Sequence, residues 1–419
     1  RSGLVRHALI LSARVPQARR GRETSSPPQF GHTPSISAAH AAQNVHSKLQ
    51  IVAVSLSAAR ATSHRSHTGR ISNTAPAYAR RVLVFLTGGS GFVGSHTTRR
   101  LLDDGHEVRL LVRDEAKAST VLERVGVDPS AVDLVKGDVL DRRSIEDAVR
   151  GCDAAVHAAA AIGVTGKGGS SVVDTNVQGT INVVGSAVEA GIDPVVHIST
   201  VGIFIPPVDP VITTTSVLAD PRTDYGRSKL AAERAVRALQ ADEAPIVVVY
   251  PGGVIGPDQP ALDATLEGIR GARETLWPLA PGGVALIDVR DLAEIIVRSL
   301  VPGEGPRRFM AGGHFLTWAA FADLTDEITG VRCRRMPMPA PVTLGMGWLI
   351  DQVRRIRPID YPLTLDAAEF MVRMVPTDDE PTLRALGMSL RPVRDTVEDA
   401  MRWMAATGHL SPKAAGRLA

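Results

Sequence analysis

The stretch YGRSK, from Tyr225 to Lys229, places a phenol four residues before an ammonium group. Residues four apart lie on the same face of a helix, so the two side chains can act side by side. A free tyrosine, with a pKa of about 10, is a poor base near neutral pH, but a neighbouring ammonium group favours the phenolate and lowers that pKa. The pair could therefore move a proton at a substrate oxygen. The same spacing also fits two ordinary residues on the surface of a helix.

The elements that would position this pair begin at Arg81. The segment RVLVFLTGGSGFVGSHTTRRLLDDGHEVRLLVRD predicts a strand, a Gly-rich turn, an amphipathic helix from about Phe92 to Asp104, and a second strand that ends near Val112. Glycines in such a turn let the backbone approach a pyrophosphate, whose charge the free N–H groups of the helix N-terminus bind. This βαβ unit predicts a dinucleotide site.

Strand and helix patterns alternate after this unit, with further strands predicted in AVDLVKGDVLD, CDAAVHAAAA, DPVVHISTVGIF and APIVVVYPGGVIGP. Such alternation indicates an α/β fold with a Rossmann-type, doubly wound parallel sheet that binds ligands at the carboxyl ends of its strands. We predict a dinucleotide-binding domain over residues 81–300. A smaller C-terminal substrate-binding region, residues 301–419, is expected to pack closely on it.

Composition limits the classes of function. Of the 419 residues 44% are hydrophobic, which supplies a sizeable core, and the distant Cys152 and Cys333 favour reduced, packed thiols. The net charge is +3, but residues 1–81 hold 12 basic residues and one acid, which leaves 35 basic and 43 acidic residues in the rest. The acidic body argues against nucleic-acid binding. Without a metal-ligand cluster, no metal site is expected.

Residues 1–80 form a basic leader that lacks a helical or strand period and contains Pro-rich stretches, so we predict disorder. Its composition fits either a transit peptide or mistranslated upstream sequence. No run reaches about 18 apolar residues, so we expect no transmembrane segment. We expect a cytoplasmic protein, or an organellar one if the leader is a genuine transit peptide.

Eight motifs occur in order: TGGSGFVG, GDVLD, HAAAA, NVQGT, HISTVGIF, YGRSK, PGGVIGP and IDVRDLAE. Together they resemble the extended short-chain dehydrogenase/reductase family, the NAD(P)-dependent epimerase/dehydratase group, over roughly residues 81–300. Thr200 precedes Tyr225 by 25 residues, a spacing similar to that between the catalytic residues of this family. The resemblance implies that Thr200 binds the substrate oxygen, Tyr225 transfers the proton, and Lys229 lowers the tyrosine pKa and holds the nicotinamide ribose.

The resemblance also implies which residues surround the cofactor. Asn176 is similar to a helix asparagine of the family, although it also fits a polar helix residue with a satisfied amide. The implied cofactor-binding residues are Gly88, Ser90, Gly91, Phe92, Val93, Gly94, Arg113, Asp138, Val139, Ala158, Ala159, Ala160, Asn176, Tyr225, Lys229, Pro251 and Val254.

Arg113, at the end of the second predicted strand, indicates the 2′-phosphate of NADP, whereas an acid there would bind the ribose hydroxyl of NAD. Asp114 is adjacent and could favour NAD. We predict NADP, with NAD as the alternative.

The substrate is less constrained. The positions where nucleotide-sugar epimerases of the family tend to carry Arg and Asn hold Tyr250 and Gly253 here. PGGVIGP and VRD are similar to the dihydroflavonol-reductase-like and hydroxysteroid-dehydrogenase-like branches, which implies a ring carbonyl or alcohol on a small, largely apolar substrate. A nucleotide-sugar epimerase or dehydratase is the first alternative, and a cofactor-sensing protein without turnover is the second. A homodimer through the helices near Asn176 and Tyr225 stays open.

The C-terminal segments GHFLTWAAFADL and MPMPAPVTLGMGWLIDQV offer apolar walls, in which Trp318, Met346 and Trp348 are interpreted as core residues more than as pocket lining. The loop at residues 162–169 fits a flexible lid or a plain surface loop. Among the polar residues, His157 favours a packed or backbone-bonded histidine, and Asp291 is expected to cap a helix. The tail, residues 386–410, predicts a turn and a terminal amphipathic helix.

Overall fold

The computed structural model describes residues 81–160, 172–221, 224–356 and 363–419. The basic leader and the loop at residues 162–169 lie outside these ranges. The described strands are β1 Leu83–Thr87, β2 Glu107–Val112, β3 Asp133–Lys136, β4 Ala154–His157, β5 Val195–Ile198, β6 Ile246–Pro251, β7 Gly253–Ile255, β8 Trp277–Leu279, β9 Gly283–Asp288, β10 Arg307–Ala311, β11 His314–Thr317 and β12 Arg335–Pro337.

The α-helices follow the strands in the order that the sequence predicts. They are α1 Phe92–Asp103, α2 Glu115–Arg124, α3 Arg142–Ala148, α4 Val172–Glu189, α5 Asp224–Ala241, α6 Ala264–Glu274, α7 Val289–Arg298, α8 Trp318–Thr329, α9 Ala340–Ile356, α10 Leu365–Arg373, α11 Glu380–Leu386, α12 Val393–Ala406 and α13 Pro412–Ala415. The tail therefore holds the predicted amphipathic helix, α12, and ends in a further short helix.

Seven strands form a parallel sheet in the order β10-β6-β5-β4-β1-β2-β3. Because side chains alternate along a strand, β1 places Phe85 in the core beneath α3, α4 and α5, and Val84 and Leu86 in the core beneath α1, α2 and α7. Helices thus cover both faces of the sheet. The prediction of a doubly wound, Rossmann-type α/β fold is confirmed.

Two smaller sheets lie outside the main one. β7 and β11 flank β9, and β12 pairs with β8. A third apolar core joins α6, α8 and α12. The edge strand β10 of the main sheet comes from beyond residue 300, so chain on both sides of that residue builds the sheet. The division into residues 81–300 and 301–419 stays a prediction.

The interpretation of Asp291 as a helix cap is wrong. α7 begins one turn earlier, and its N-cap is Asp288, whose Oδ1 accepts from the backbone N–H of Arg290 at 2.8 Å. Asp291 lies inside the first turn and is buried, where it accepts from the backbone N–H and the guanidinium of Arg391. It therefore anchors the chain that leads into α12. Within the described ranges, no helix combines the length and the hydropathy needed to cross a membrane.

Candidate active site

The Gly-rich turn between β1 and α1 is so tightly packed that it requires glycine. Gly88 has φ +86°, and a Cβ atom there would lie 2.7 Å from the carbonyl carbon of Ala158. A Cβ atom on Gly94 would lie 2.2 Å from the carbonyl oxygen of Gly88. The backbone N–H of Gly91 donates to that same oxygen at 2.8 Å. The turn therefore contacts the segment that begins at Ala158, as expected for neighbouring strand ends.

The N-terminus of α1 has its backbone donors available. Gly91 is the N-cap and offers no side-chain acceptor, and the first turn contains no acid. Ser90, Phe92 and Val93 are half-buried around it. Four backbone N–H groups at a helix start lack intrahelical partners, and the helix dipole favours an anion there. A pyrophosphate group therefore fits this turn.

The ends of β2 and β3 present the next predicted residues. Arg113 is exposed directly after β2. Asp114 instead caps α2, since its Oδ1 accepts from the backbone N–H of Lys117 at 3.0 Å. After β3, the half-buried Asp138 accepts from the backbone N–H of Leu140 at 2.9 Å, and Val139 follows it. A basic side chain and an acidic one thus lie at adjacent strand ends.

Lys229 joins α5 to the carboxyl end of β5. Its Nζ donates to the carbonyl oxygen of Ile198 at 3.1 Å, two residues before Thr200, and the side chain is buried. Burial lowers the pKa of Lys229 to about 8, and the negative charge of Glu233 opposes that shift. At neutral pH the group is therefore mostly an ammonium ion, although it is far easier to deprotonate than an exposed lysine.

Tyr225 does not have the lowered pKa that we expected. Loss of hydration raises the pKa of its phenol to about 12, and the negative charge of Asp263 adds to the shift, although 36% of the residue's surface is exposed. Asp263 was not identified from the sequence; it caps α6 by accepting from two backbone N–H groups at 3.0 Å. Desolvation and an acid outweigh any effect of Lys229, so the tyrosine is a protonated phenol.

Thr200 and Ser199 follow β5 side by side. The Oγ1 of Thr200 accepts from the backbone N–H of Gly202 at 3.1 Å, at the start of the 3₁₀ turn Val201–Phe204. That bond uses an oxygen lone pair, so the hydroxyl proton can still be donated. The Oγ of Ser199 is buried without a hydrogen-bond partner among the described residues. An unsatisfied hydroxyl at a strand end is consistent with a ligand site.

Asn176 holds the start of α5 through a chain of hydrogen bonds. Its Nδ2 donates to the Oγ of Ser228 at 2.9 Å, and that hydroxyl donates to the carbonyl oxygen of Tyr225 at 2.7 Å. Asn176 and Ser228 are both buried. The helix α4 therefore holds the first turn of α5 through a polar chain. Ser228 was not identified as a functional residue, although it lies inside the YGRSK motif.

A pair of histidines extends this polar region beneath the helices. His157 bonds the hydroxyls of Thr87 and Thr180 at 2.8 and 3.2 Å, and its ring stacks on that of His197 at 5.5 Å. Burial, with a contribution from Lys229, lowers the pKa of His157 to about 3. His157 is thus a neutral, packed histidine, and its partners are side-chain hydroxyls and not backbone groups.

Glu233, one turn after Lys229, was also missed. Its side chain is fully buried, and its Oε1 accepts from the hydroxyl of Tyr250 at 2.5 Å and from the Nε of Arg237 at 2.7 Å. The available signal was the glutamate itself, which lies four residues after Lys229 at the end of YGRSKLAAE. Glu is almost never fully buried unless it is paired, so a partner would be expected for it inside the fold. Tyr250 is accordingly a structural partner of α5.

The last predicted residues lie around β6 and β7. Pro251 ends β6, and Val254 is half-buried in β7. Trp318 packs against the third core, as predicted, and its Nε1 donates to the carbonyl oxygen of Met371 at 2.8 Å. The core interpretation is wrong for Met346 and Trp348, which are exposed. Among the described residues, no group of three or more His, Cys, Asp and Glu could hold a metal ion.

The fold and the site now define the class of protein. The model of the NAD dependent epimerase/dehydratase family matches residues 84–312, more than half of the chain. The chain belongs to this family. The recognition of the extended short-chain dehydrogenase/reductase group is confirmed, as is the prediction of an NAD(P)-dependent oxidoreductase.

Two relatives and one solved structure illustrate the similarity. Sterol demethylase protein B of Methylococcus capsulatus is 27% identical over 77% of this chain and 98% of its own length. A 4-hydroxy-2-methyl-3-oxo-4-farnesyl-3,4-dihydroquinoline-1-oxide ketoreductase of Stigmatella aurantiaca is also 27% identical, over 77% of this chain and 97% of its own. A UDP-glucose-4-epimerase of Stenotrophomonas maltophila, solved with NAD, has a TM-score of 0.61 at 20% identity, over 78% of this chain and 99% of its own. That structure supports the fold alone.

Proposed function

We propose that this protein is an NADP-dependent reductase or dehydrogenase that acts on a ring carbonyl or alcohol of a small, largely apolar substrate. One observation carries the proposal. Lys229 is bound at the carboxyl end of β5 beside Thr200, and it lies one helical turn after Tyr225. This supports a site in which a proton donor, a hydrogen-bond donor and a cation act at the edge where a doubly wound sheet binds its ligands.

Tyr225 acts as the proton donor in the reduction. With a pKa of about 12 its phenol is protonated near neutral pH, so it can give a proton to the carbonyl oxygen as that oxygen gains negative charge. Thr200 donates its hydroxyl proton to the same oxygen and orients the carbonyl group. NADPH supplies the hydride to the carbonyl carbon when it is bound. In the reverse direction Tyr225 must first lose its proton.

Lys229 stabilises the phenolate that proton donation leaves behind. Among the described residues its ammonium group donates to Ile198 alone, which leaves two N–H groups for the ribose and for the developing charge. Glu233 acts through Lys229 as a positioning residue, since its buried negative charge favours the ammonium form. Reduction therefore needs Lys229 protonated and Tyr225 protonated at the outset.

The end of β2 supports the preference for NADP. Arg113 is exposed and available to a 2′-phosphate, whereas the carboxylate of Asp114 is engaged as the cap of α2. An acid that binds backbone is poorly placed to accept from a ribose 2′-hydroxyl. The glycine turn, the open start of α1 and the unsatisfied Ser199 fit the rest of the dinucleotide.

Arg113→Asp tests this preference. We expect the dissociation constant for NADPH to rise by at least about tenfold, while that for NADH changes by less than about threefold, because only the former loses a charged partner. The matched control is Arg124→Asp, the same charge change on an exposed arginine at the other end of α2. Equal losses for both cofactors would contradict the NADP proposal.

The proposed substrate class rests on two positions, Tyr250 and Gly253, where family epimerases that bind sugar nucleotides tend to carry Arg and Asn. Tyr250 is fully buried and bonded to Glu233, so it cannot replace the arginine that family epimerases tend to carry, and Gly253 has no side chain. The similarity to relatives named for a sterol and for a farnesyl-dihydroquinoline supports a substrate with an apolar ring system instead. The sugar-nucleotide alternative has in its favour that the family model that matches the chain is one of epimerases and dehydratases.

A turnover assay separates these functions. The protein is mixed with NADPH and a panel of sterol ketones and prenylated cyclic ketones, and the loss of NADPH absorbance is compared with the alcohol formed. We expect one NADPH consumed for each alcohol. Interconversion of UDP-sugars without net cofactor change would identify an epimerase instead. Cofactor binding with no turnover of either substrate class would favour the cofactor-sensing alternative.

A further inference from the structure

A group of exposed apolar residues lies on the C-terminal part of the chain, from β12 through the first half of α9. We call it the α9 surface. It consists of the exposed residues Met336, Pro337, Pro339, Pro341, Val342, Gly345, Met346, Trp348 and Leu349. Val342, Trp348 and Leu349 are 49%, 54% and 55% exposed, more than is usual for such large side chains.

The other face of α9 is packed in the ordinary way. A Cβ atom on Gly347 would lie 2.9 Å from the Cβ of Ala368 and 2.8 Å from the carbonyl oxygen of Thr364, so α9 sits directly on the start of α10. From Pro341 to Leu349, all the exposed residues are apolar. A helix with an apolar stripe normally packs that stripe against the core. α9 has a second apolar face, and the exposure of that face to water costs free energy.

Charge decides what could cover this surface. Residues 331–358 contain six arginines and one acid, Asp351, although the chain after residue 81 has more acids than bases. The exposed Arg332 and Arg334 precede the apolar residues, and the sequence continues with Arg354, Arg355 and Arg357 after them. Aromatic and aliphatic side chains flanked by arginine are typical of helices that lie in the plane of a membrane interface.

The same charges disfavour the other occupants. Arg335 is paired with Asp323 and Asp326, but the exposed Arg332 and Arg334 would face the same arginines if two copies met through this surface. Like charges across an interface cost several kcal/mol. The leader, with 12 basic residues and one acid in residues 1–81, has the same sign of charge. An anionic phospholipid headgroup has the opposite sign.

We propose that the α9 surface docks this protein on anionic phospholipid bilayers, with Trp348 and Leu349 entering the boundary between headgroups and acyl chains. The proposal goes beyond the proposed function and does not depend on it.

Flotation of the full chain with lipid vesicles tests the proposal. We expect weak binding to vesicles of phosphatidylcholine and strong binding when phosphatidylserine is included. Trp348→Gln with Leu349→Gln should weaken binding to the mixed vesicles by about tenfold or more, because both apolar insertions are lost. Arg332→Glu with Arg334→Glu should lower binding to the mixed vesicles by at least roughly fivefold per arginine, with little change on phosphatidylcholine alone.

Two matched controls distinguish this surface from general adhesion. Val208→Gln with Val217→Gln makes the same kind of change at exposed apolar residues elsewhere, and Arg124→Glu with Arg143→Glu makes the same charge change elsewhere. Both should float like the original protein, and Trp348→Phe should largely retain binding. Equal losses in the controls and the α9 variants would overturn the proposal.

A second copy as the occupant has its own signature. Light scattering would then find a dimer that the Trp348→Gln, Leu349→Gln variant dissociates, and the original protein would not float with either vesicle. That combination of results also overturns the proposal.

Discussion

α5 and α9 are helices of almost equal length, 18 and 17 residues, that break the usual arrangement of polar and apolar side chains in opposite ways. α5 buries Ser228, Lys229 and Glu233 against the sheet. α9 exposes Trp348 and Leu349 to solvent. Each departure has a free-energy cost in the isolated chain, since buried charge loses hydration and exposed apolar surface orders water.

The two helices differ in whether contacts within the protein offset this free-energy cost. In α5 the buried groups find partners within the protein, such as Ile198 for Lys229 and Tyr250 for Glu233. The apolar face of α9 is covered neither by the core nor by another described helix. The fold itself therefore offsets the cost in α5, whereas in α9 the exposed apolar residues stay in contact with solvent.

The largest expected effect breaks the chemistry of α5. Tyr225→Phe should lower turnover by roughly 10²- to 10⁴-fold with cofactor affinity near the original value, because the proton donor is lost while the ring stays. Tyr250→Phe removes the same atom from a structural tyrosine and should affect stability more than turnover. Turnover at the original rate in Tyr225→Phe would make the YGRSK motif an ordinary helix surface.

Lys229 gives a pH dependence that no residue of the exposed α9 surface can give. The folded-state pKa of about 8 lies below the usual value of 10.5, so between these pH values the unfolded chain holds a proton that the folded chain lacks. The contribution of Lys229 to the stability therefore rises with pH across this window. Below the window, burial of the ammonium group costs about 3 kcal/mol.

Urea unfolding at pH about 8 and about 10 measures this effect. Lys229→Met should remove the rise, whereas Lys413→Met, at an exposed lysine, should keep it. A Lys229→Met protein with the same pH dependence as the original would show that the lysine is not buried as a charge. The same variant should also bind NADPH more weakly, because it lacks the ammonium group that we propose binds the ribose.

The smallest expected effect compares the two helices directly. Glu233→Gln removes a buried charge from α5 and should cost about 1–3 kcal/mol of unfolding free energy, because Arg237 and Lys229 lose their counter-charge. Leu349→Gln makes an exposed apolar residue of α9 polar and should change stability by less than about 0.5 kcal/mol. A larger loss for Leu349→Gln would place that side chain in the core and remove the basis of the α9 surface.

Much of the fold could be predicted because its determinants are local. The glycines of the first turn, the apolar strands and the alternation of strands and helices fix a parallel sheet, and the carboxyl ends of parallel strands must lie at one edge. Gly88, Ala158 and Thr200 were accordingly expected at one edge, and the resemblance to the family added Lys229. The structure brings the turn to Ala158 and Lys229 to the end of β5.

The positions that sequence reasoning missed depend on contacts between distant segments. Asp288 rather than Asp291 caps α7 because the chain at Arg391 returns to bind the latter. The pKa of Tyr225 rises because packing removes water from the phenol, and the negative charge of Asp263, 38 residues away in sequence, adds to that rise. Neither effect has a signature in a short window of residues.

The sequence by itself determined the class of fold and the family, since these depend on local spacing and on the period of apolar residues, and it predicts Tyr225 and Lys229 as the catalytic pair. Only the tertiary structure decided the protonation of Tyr225, the partners of Glu233 and the exposure of Trp348. Protonation, pairing and exposure depend on which distant atoms displace water from a group, and that is settled when helices and sheets pack against one another.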